Sequence, residues 1–420
     1  MIGATAAEAK ILELTPSPQG ITPELVALTL ASGRVLAEAV TSSLDIPHWH
    51  NSAMDGYALR AEDVRTASPE CPVSLTVTQV IPAGQAPIAA IGAGQAARLF
   101  TGSMLPPGAD TVVMQEDTCR QGSQVDIRVA PPPGEFVRHR GSFYQAGTPL
   151  MAPGTRLGGP EIALLAAAQC PQVRVFPRLR VAILSTGNEL VGIDTPLQPG
   201  QIVDSNQYAL AALVQQAGAI PLPMGIIPDH PDALARAITA AQLQADMVLS
   251  SGGVSVGDLD YVDRTLSDLG ATLHIKTVAV KPGKPLTVAT LSPLQGNRPL
   301  LYFGLPGNPV SALVSFWRFV EPALRKQSGL RGNWSPRFLQ AHTTQSLRSQ
   351  GNRETYLWGR LEIFEASYQF HPVTGSYSSG NLVNLAGTNA LAVLPPGTWE
   401  VGAGDPITVM MVGNGWGVAP

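Results

Sequence analysis

The sequence contains little cysteine. Three cysteines occur in 420 residues, at Cys71, Cys119 and Cys170. No two of them form a C-x-x-C pair, so the sequence indicates neither a zinc site nor a disulfide framework. It also lacks the basic segment and apolar run of a secretory signal peptide, and no window reaches about 18 uninterrupted apolar residues. We therefore expect a protein of a reducing compartment, located in the cytoplasm.

Charged residues are also scarce, at 14% of the chain. Lys and Arg number 27 against 31 Asp and Glu, which gives a formal net charge of -4. No basic face suggests a nucleic acid or an anionic membrane as a partner. Hydrophobic residues make up 45% of the chain, as in a globular protein, and the 42 Gly and 37 Pro indicate many tight turns.

Three common motifs of catalysis and nucleotide binding are missing. No G-x-x-x-x-G-K-[ST] occurs, and no G-x-G-x-x-G follows a strand. These absences disfavour a P-loop NTPase and a nicotinamide-dependent dehydrogenase. The G-x-S-x-G motif is absent too, which weakens a hydrolase interpretation.

The first half of the chain predicts a helical module interrupted by a β-domain. Thr22 as N-cap and Pro23 at the first helical position predict a helix that ends at Gly33. From Val73, alternating runs such as "VSLTVTQVI" and "QVDIRVA" predict short strands joined by turns. The stretch "GGPEIALLAAAQC" is helical again. We therefore expect one helical, elongated domain from residues 1–45 and 146–178, with a β-domain of residues 46–145 inserted into it.

The second half predicts an α/β domain followed by a small β-domain. Between residues 179 and 328, continuous apolar strands alternate with amphipathic helices, which is typical of a parallel sheet covered on both faces. Residues 329–420 return to short strands, consistent with a C-terminal β-barrel or sandwich. The expected fold class is thus multidomain α/β plus β, with a central three-layer α/β domain.

Polar residues follow several strands of the expected sheet. Ligands of such sheets bind beyond the carboxyl ends of the strands, so these residues are site candidates. They comprise Glu189, Asp229, Asp258 and Asp260 as acids, Lys281 and Lys284 as bases, and the turns Ser251-Gly252-Gly253 and Gly307-Asn308. Carboxylates suit Mg²⁺, and lysines and glycine N–H groups suit phosphate. The alternative for any single acid is a helix N-cap or a solvated turn.

Two further stretches in the β-domain are candidates. "IPHWHNSAMDGYALR" carries His48, His50 and Asp55, where a surface loop is the alternative to a metal site and a turn is the alternative for Asp55. Thr101-Gly102-Ser103 follows a strand, where its hydroxyls and N–H groups would face an oxyanion or form a simple turn.

Seven stretches resemble the molybdopterin molybdenumtransferase family, which includes the bacterial MoeA proteins and the E domain of gephyrin. In order, they are "NSAMDGYAL", "RLFTGSMLPPGADTVVMQED", "STGNEL", "GQIVDSNQYAL", "SSGGVSVGDLDYV", "VAVKPGKPLTVA" and "FGLPGNPVSALVSFWRFVEPAL". The resemblance implies an α/β domain similar to molybdopterin adenylyltransferase and an elongated homodimer with its site between domains of both subunits. The implied reaction is Mg²⁺-dependent insertion of molybdate into adenylylated molybdopterin with loss of AMP.

The resemblance also implies roles for individual residues. Asp55 and Thr101 match cleft positions of the β-domain, and Glu189, Asp229 and Asp260 match acids at strand ends, Glu189 and Asp260 being the implied metal ligands. The implied substrate-binding residues are Ser251, Gly252, Gly253, Ser255, Asp258, Lys281, Lys284, Pro306, Gly307, Asn308, Arg353 and Ser379. Further proteins of molybdenum cofactor biosynthesis are candidate partners.

Two departures from the family pattern bear on activity. Ser142 and Phe143 stand where the family has an acidic pair, and Asn188 replaces an aspartate in "TGNEL". A weakened family member that carries or scaffolds molybdopterin is therefore a second hypothesis. A pterin adenylyltransferase is a third, suggested by the shared α/β domain.

Overall fold

The computed structural model describes residues 1–253, 261–294 and 298–413. Within these ranges, no helix combines the length and apolar character needed to cross a bilayer. The chain begins with helix α1 (Ala4–Leu14), which had no counterpart among the predicted helices. Its buried face, with Ala7 and Ile11, packs into the core of the α/β domain. The first residues of the chain therefore belong with residues 179–328 in space.

The predicted helix after Thr22 is wrong. The chain there forms strand β1 (Glu24–Ala27) and a short 3₁₀ turn, Leu28–Leu30. The strand pairs antiparallel with residues 172–175, Val26 opposite Val173. Capping signals are a weak preference that tertiary pairing overrides, so this module is built on a small β-pairing.

The inserted domain is β-rich, as predicted. Six of its strands form one mixed sheet in the order β7-β4-β6-β5-β9-β8. Successive residues alternate between its two faces, so that Tyr57 and Leu59 enter one apolar core and Ala58 the other. The strands of this region are β2 (Val40–Thr41), β3 (Asn51–Ser52), β4 (Gly56–Leu59), β5 (Val73–Ile81), β6 (Gln95–Leu99), β7 (Thr111–Met114), β8 (Thr118–Gln121), β9 (Gln124–Ile127), β10 (Val137–Arg138) and β11 (Pro149–Met151).

Helix α2 (Gly159–Ala167) confirms the helix predicted at "GGPEIALLAAAQC". Glu161 accepts a hydrogen bond from the N–H of Gly158, which caps the first turn. Leu165 packs with Leu36 and with Val175 of strand β12 (Gln172–Val175). The helix therefore completes the hydrophobic core of the module that contains β1.

The α/β domain has a six-stranded sheet in the order β16-β13-β17-β21-β20-β18. Its elements, including the short strands β14, β15 and β19 that lie outside this sheet, are β13 (Arg180–Thr186), β14 (Leu190–Val191), β15 (Ile202–Val203), α3 (Asn206–Gln216), β16 (Ile220–Ile227), α4 (Pro231–Gln242), β17 (Met247–Ser251), α5 (Tyr261–Asp268), β18 (Thr272–Thr277), β19 (Val280–Lys281), β20 (Pro285–Leu291), β21 (Leu300–Leu305), α6 (Pro309–Ser315) and α7 (Glu321–Gln327). A π-helical turn, Phe316–Val320, joins α6 to α7.

Both faces of this sheet are covered, as the continuous apolar strands predicted. Val181 and Ile183 face one core with α1, α3 and α6, whereas Ala182 and Leu184 face a second core with α4 and α5. The sheet is not wholly parallel, because β20 runs antiparallel to both of its neighbours. The connection from β18 to β20 has no room for the crossover helix that a parallel pair needs.

The C-terminal strands close into a barrel. β24 (Glu354–Phe364) pairs with both β25 and β26, so five strands form a closed ring around Leu361, Phe370 and Val409. The other strands are β22 (Phe338–Thr343), β23 (Leu347–Arg348), β25 (Ser367–Pro372), β26 (Ala390–Leu394), β27 (Glu400–Val401) and β28 (Pro406–Met411). Strand β19 joins the barrel edge, with Lys281 opposite Thr355, and so ties the barrel to the α/β domain.

Candidate functional site

The sheet brings the predicted turns to one edge. The turns after β13, β16, β17 and β21 leave the carboxyl ends of parallel strands. The loop between β18 and β20, which contains "KPGKP", lies at the same edge because β18 runs in the direction of β21. Ligands of α/β sheets bind at such an edge. The topology therefore confirms that these turns share one edge.

Glycines allow the strand ends to pack backbone to backbone. Gly252 has a φ of +93°, and a Cβ there would lie 2.3 Å from the carbonyl oxygen of Thr186, whereas a Cβ on Gly307 would lie 3.5 Å from the Cα of Gly252. Its N–H donates to the carbonyl of Leu305 at 3.2 Å. Only glycine fits this close approach. Ser251 is buried beside it, and its carbonyl accepts from the Thr186 hydroxyl at 3.4 Å.

Two acids lie together at the β13 and β16 ends. The N–H of Asn188 donates to Asp229 at 3.3 Å, and the N–H of Asp229 donates back to the Asn188 side-chain oxygen at 3.1 Å. Loss of hydration raises the pKa of Asp229; the Asn188 N–H opposes this, and the neighbouring Glu189 charge adds to it. The paired turns thus bring Glu189 near enough for its charge to act on Asp229.

A cationic cavity of about 330 Å³ lies between the α/β domain and the barrel. Lys281 and Arg353 supply its positive charge, Arg348 lies in the wall paired with Glu400 at 3.4 Å, and Asn308 and Ser379 supply polar groups. The Arg353 guanidinium donates to the carbonyl of Val280 at 3.1 Å, which orients it beside Lys281. Converging cations and amides are the chemistry that binds an oxyanion.

Two other residues that were predicted to bind substrate, Lys284 and Pro306, do not line that cavity. Lys284 is exposed, and its carbonyl accepts from the N–H of Val278. Pro306 is buried behind Gly307. Ser255, Asp258 and Asp260 lie outside the described residues, so their roles stay predictions.

The sequence reasoning missed three residues that the structure places here. Asn206 is buried and donates to the carbonyl of Gly307 at 2.8 Å, which fixes the turn between the two parts of the edge. Asp204 is buried and accepts from the N–H of Gln207 at 3.1 Å at the start of α3. Both lie in "GQIVDSNQYAL", one of the stretches that resemble the family, and this resemblance could have identified them as site residues. Arg348 lacked any such motif.

Asp55 and Thr101 form a separate pair in the β-domain. Thr101 donates from its N–H at 2.7 Å and from its hydroxyl at 2.8 Å to one oxygen of Asp55. These bonds, with the charge of Arg98, lower the pKa of Asp55. The N–H of Gly102 donates to Ser52 and the N–H of Ser103 to Phe100. The turn interpretation is therefore correct, because these donors are not free for an oxyanion.

The loop histidines do not form a metal site. His48 contacts the Asp45 carbonyl at 2.6 Å, and His50 lies 3.3 Å from His139. No group of three metal-ligating side chains occurs among the residues that the structure describes. Phe143, where the family has an acid, is 70% exposed.

The sequence-predicted site residues thus fall into two regions of one chain. One is the sheet edge with its acids, glycines and cationic cavity, and the other is the Asp55–Thr101 pair. Over the described part of the chain, no hydrogen bond or salt bridge joins residues 46–145 to residues 179–328.

Three family models match the chain in order. Residues 3–168 match "MoeA N-terminal region (domain I and II)", residues 182–326 match "Probable molybdopterin binding domain", and residues 340–412 match "MoeA C-terminal region (domain IV)".

Relatives and a solved structure agree with these matches. The molybdopterin molybdenumtransferase of a Nostoc species is 56% identical over 93% of this chain and 88% of its own. That of Haemophilus influenzae is 32% identical over 97% and 98%. The solved molybdopterin biosynthesis MoeA protein of Pyrococcus horikoshii superposes with a TM-score of 0.82 at 27% identity, covering 98% of this chain and all of that one. The chain therefore belongs to the molybdopterin molybdenumtransferase family and is an enzyme of molybdenum cofactor biosynthesis.

Proposed function

We propose that this enzyme inserts molybdate into adenylylated molybdopterin in a Mg²⁺-dependent reaction that releases AMP. The observation that supports it is the meeting of opposite charges at one sheet edge. Asn308 lines the cationic cavity with Lys281 and Arg353, and the adjoining Gly307 packs closely against Gly252. Glu189 and Asp229 lie at the same edge.

The cavity is the proposed oxyanion side of the site. Lys281 and Arg353 would neutralise a tetrahedral oxyanion, either molybdate or a substrate phosphate, while Asn308 and Ser379 donate hydrogen bonds to it. Because Arg353 is held by the Val280 carbonyl, its charge is positioned before the anion arrives. The cavity would thus bind by prearranged charge, with little reordering of side chains.

The acid side fits a hard divalent cation. Glu189 and Asp229 offer carboxylate oxygens, and partial burial, together with the Glu189 charge, raises the pKa of Asp229, which a bound cation would offset. Both would hold Mg²⁺, with the predicted ligand Asp260 lying outside the described residues. Such an ion would supply charge neutralisation to a pyrophosphate group. Asn188 would orient Asp229 through the reciprocal hydrogen bonds.

The Asp55–Thr101 pair would complete the site from a second subunit. We propose a homodimer, located in the cytoplasm, in which the β-domain of one protomer faces the sheet edge of its partner. The family resemblance supports this arrangement, and so does the lack of bonds between the two regions within the described chain. Thr101 would keep Asp55 ionised and oriented toward the substrate.

The test is incubation of the purified protein with adenylylated molybdopterin, Mg²⁺ and molybdate, with AMP measured by chromatography. We expect AMP release that requires both molybdate and Mg²⁺. Arg353→Gln should raise the molybdate concentration for half-maximal rate about tenfold, since a charge-assisted hydrogen bond contributes about 1.5–3 kcal/mol. The exposed Arg120→Gln is the matched control. Tight binding without turnover would support a carrier instead, and AMP transfer from ATP to free molybdopterin would support an adenylyltransferase.

A further inference from the structure

A second cavity lies away from the candidate site. It measures about 700 Å³ and includes Leu179, which precedes β13, and Ala219, which precedes β16. These residues mark the amino edge of the sheet, opposite the carboxyl edge that carries the acids and Lys281. The cavity is therefore separate from the proposed site.

Three parts of the chain build this cavity. Val35 and Phe176 come from the module of β1 and α2, Leu324 comes from α7, and Phe338 and Leu339 come from the barrel. These five residues give it apolar lining, and its volume falls in the range of about 300–1,000 Å³ that is usual for small-molecule sites. A ligand here would contact all three parts at once.

Five arginines and one acid line the cavity, and two of the arginines are balanced. Arg34 pairs with Glu24 and donates to the Phe176 carbonyl at 2.9 Å. Arg325 pairs with Glu321 at 2.6 Å. These two guanidinium groups are fixed in the wall, and their charges are compensated by acids of the same chain.

The other three arginines are unbalanced. Arg156, Arg178 and Arg337 are exposed, and their side chains make no hydrogen bond or ion pair with the residues that the structure describes. Three uncompensated positive charges therefore line one cavity of a chain whose net charge is -4. Like charges around a concave, partly apolar wall focus a positive potential that favours an anion.

We infer that this cavity binds a chain of two or three phosphate groups, either as free polyphosphate or as part of a nucleotide. Guanidinium groups match phosphate oxygens in paired hydrogen bonds, and one arginine per phosphate would balance the charge. Phe176 and Phe338 line the same cavity, whose volume leaves room for a base beside the phosphates. Such a site is distinct from the reaction proposed above and does not depend on it.

Calorimetric titration of the full-length Arg353→Gln variant tests the inference, because that change weakens anion binding in the other cationic cavity. Pyrophosphate and ADP are the probes. We expect one binding event for each probe. Adding the triple change Arg156→Gln/Arg178→Gln/Arg337→Gln should weaken this binding at least tenfold. The matched control changes three exposed arginines outside both cavities, Arg65→Gln/Arg120→Gln/Arg264→Gln, and should bind as before.

The outcomes separate the sources of the phosphate. Tighter binding of ADP than of pyrophosphate identifies a nucleotide, and equal binding identifies free polyphosphate. Adenosine binding as tightly as ADP would overturn the inference, as would no binding of either probe or equal weakening in the control variant. If the triple variant does not fold, the single variant Arg178→Gln replaces it in the titration, and we expect this change to weaken binding of the probes severalfold. With Arg353 unchanged, Arg156→Gln/Arg178→Gln/Arg337→Gln should retain wild-type AMP release in the molybdate assay, which keeps this test independent of the proposed reaction.

Discussion

Thr101 donates two hydrogen bonds to a single carboxylate oxygen of Asp55, from its N–H at 2.7 Å and from its hydroxyl at 2.8 Å. Both bonds favour the ionised carboxylate, so the pKa of Asp55 lies below the ordinary aspartate value. The bonds stabilise the fold fully above the ordinary pKa, and that stabilisation is lost as the pH falls through the lowered value.

Thr101→Val removes the hydroxyl donor and keeps the N–H donor. We expect the pKa of Asp55 to rise toward its ordinary value, measured by carboxyl-carbon NMR titration. Thr101→Ser retains the hydroxyl and should leave the pKa low. A valine variant that titrates at the wild-type pH would show that the backbone bond alone sets the value.

Mixing two impaired variants, at a molybdate concentration too low to saturate either of them, tests whether both subunits build the site. Asp55→Asn and Arg353→Gln alter different regions, so a co-expressed mixed dimer should carry one intact site if the regions meet across the interface. We expect about a quarter of wild-type AMP release from a random mixture. Recovery of no more than the sum of the two separate variants would place Asp55 and Arg353 in the same subunit's site, and a monomeric solution mass would contradict the dimer.

Asn188→Asp restores a carboxylate that the family usually has at this position. The new charge would face Asp229 and Glu189, and a third nearby negative charge should raise the pKa of Asp229 further. We expect the Mg²⁺ concentration for half-maximal AMP release to fall severalfold, because another carboxylate favours the cation. Asn188→Ala removes the oxygen that accepts from the Asp229 N–H without adding charge, and should raise the Mg²⁺ concentration for half-maximal AMP release. An unchanged Mg²⁺ requirement in both variants would show that this turn does not contribute to Mg²⁺ binding.

Gly252→Ala tests the close packing of the strand ends. The alanine Cβ would meet the Thr186 carbonyl at 2.3 Å and would also have to adopt a φ near +93°. Gly218→Ala is the control, since Gly218 has a similar φ of +88° with no atom within 4 Å. We expect the control to cost about 1–3 kcal/mol in free energy of unfolding and Gly252→Ala to cost clearly more. Equal losses in chemical denaturation would show that the backbone angle alone requires glycine.

A buried ion pair links α1 to the helix behind the cationic cavity. Arg318, 3% exposed, pairs with Glu8 and donates to the Tyr356 hydroxyl at 2.9 Å. Burial raises the pKa of Tyr356 above its ordinary range, so the phenol stays neutral. Arg318→Met should lower the free energy of unfolding by about 3–5 kcal/mol, because it leaves Glu8 buried and unpaired.

The double variant Glu8→Leu/Arg318→Met should be more stable than Arg318→Met alone, since no buried charge remains without a partner. Chemical denaturation of the two single variants and the double variant gives the coupling. Additive losses would show that the ion pair contributes no interaction energy.

Much of the fold could be predicted where hydrophobic pattern and tertiary environment agree. Strands β13, β17 and β21 are apolar runs because both faces of their sheet are covered, and the short strands predicted within residues 329–420 form the barrel. The pattern failed where pairing partners are distant. Thr22 and Pro23 signal the start of a helix, but residues 24–27 after them form a strand because residues 172–175 pair with them.

The sequence by itself determined the chemistry of this protein: the acids, lysines and glycines that end the strands, and the family-like stretches that contain them. Only the tertiary structure decided which of them meet. Strand order placed Glu189 beside Asp229, and the pairing of Lys281 with Thr355 brought Arg353 and Arg348 to the α/β domain. The physical reason is that a residue's type fixes what it can bind, whereas its neighbours follow from long-range strand pairing and core packing. Local sequence preferences do not encode these long-range contacts.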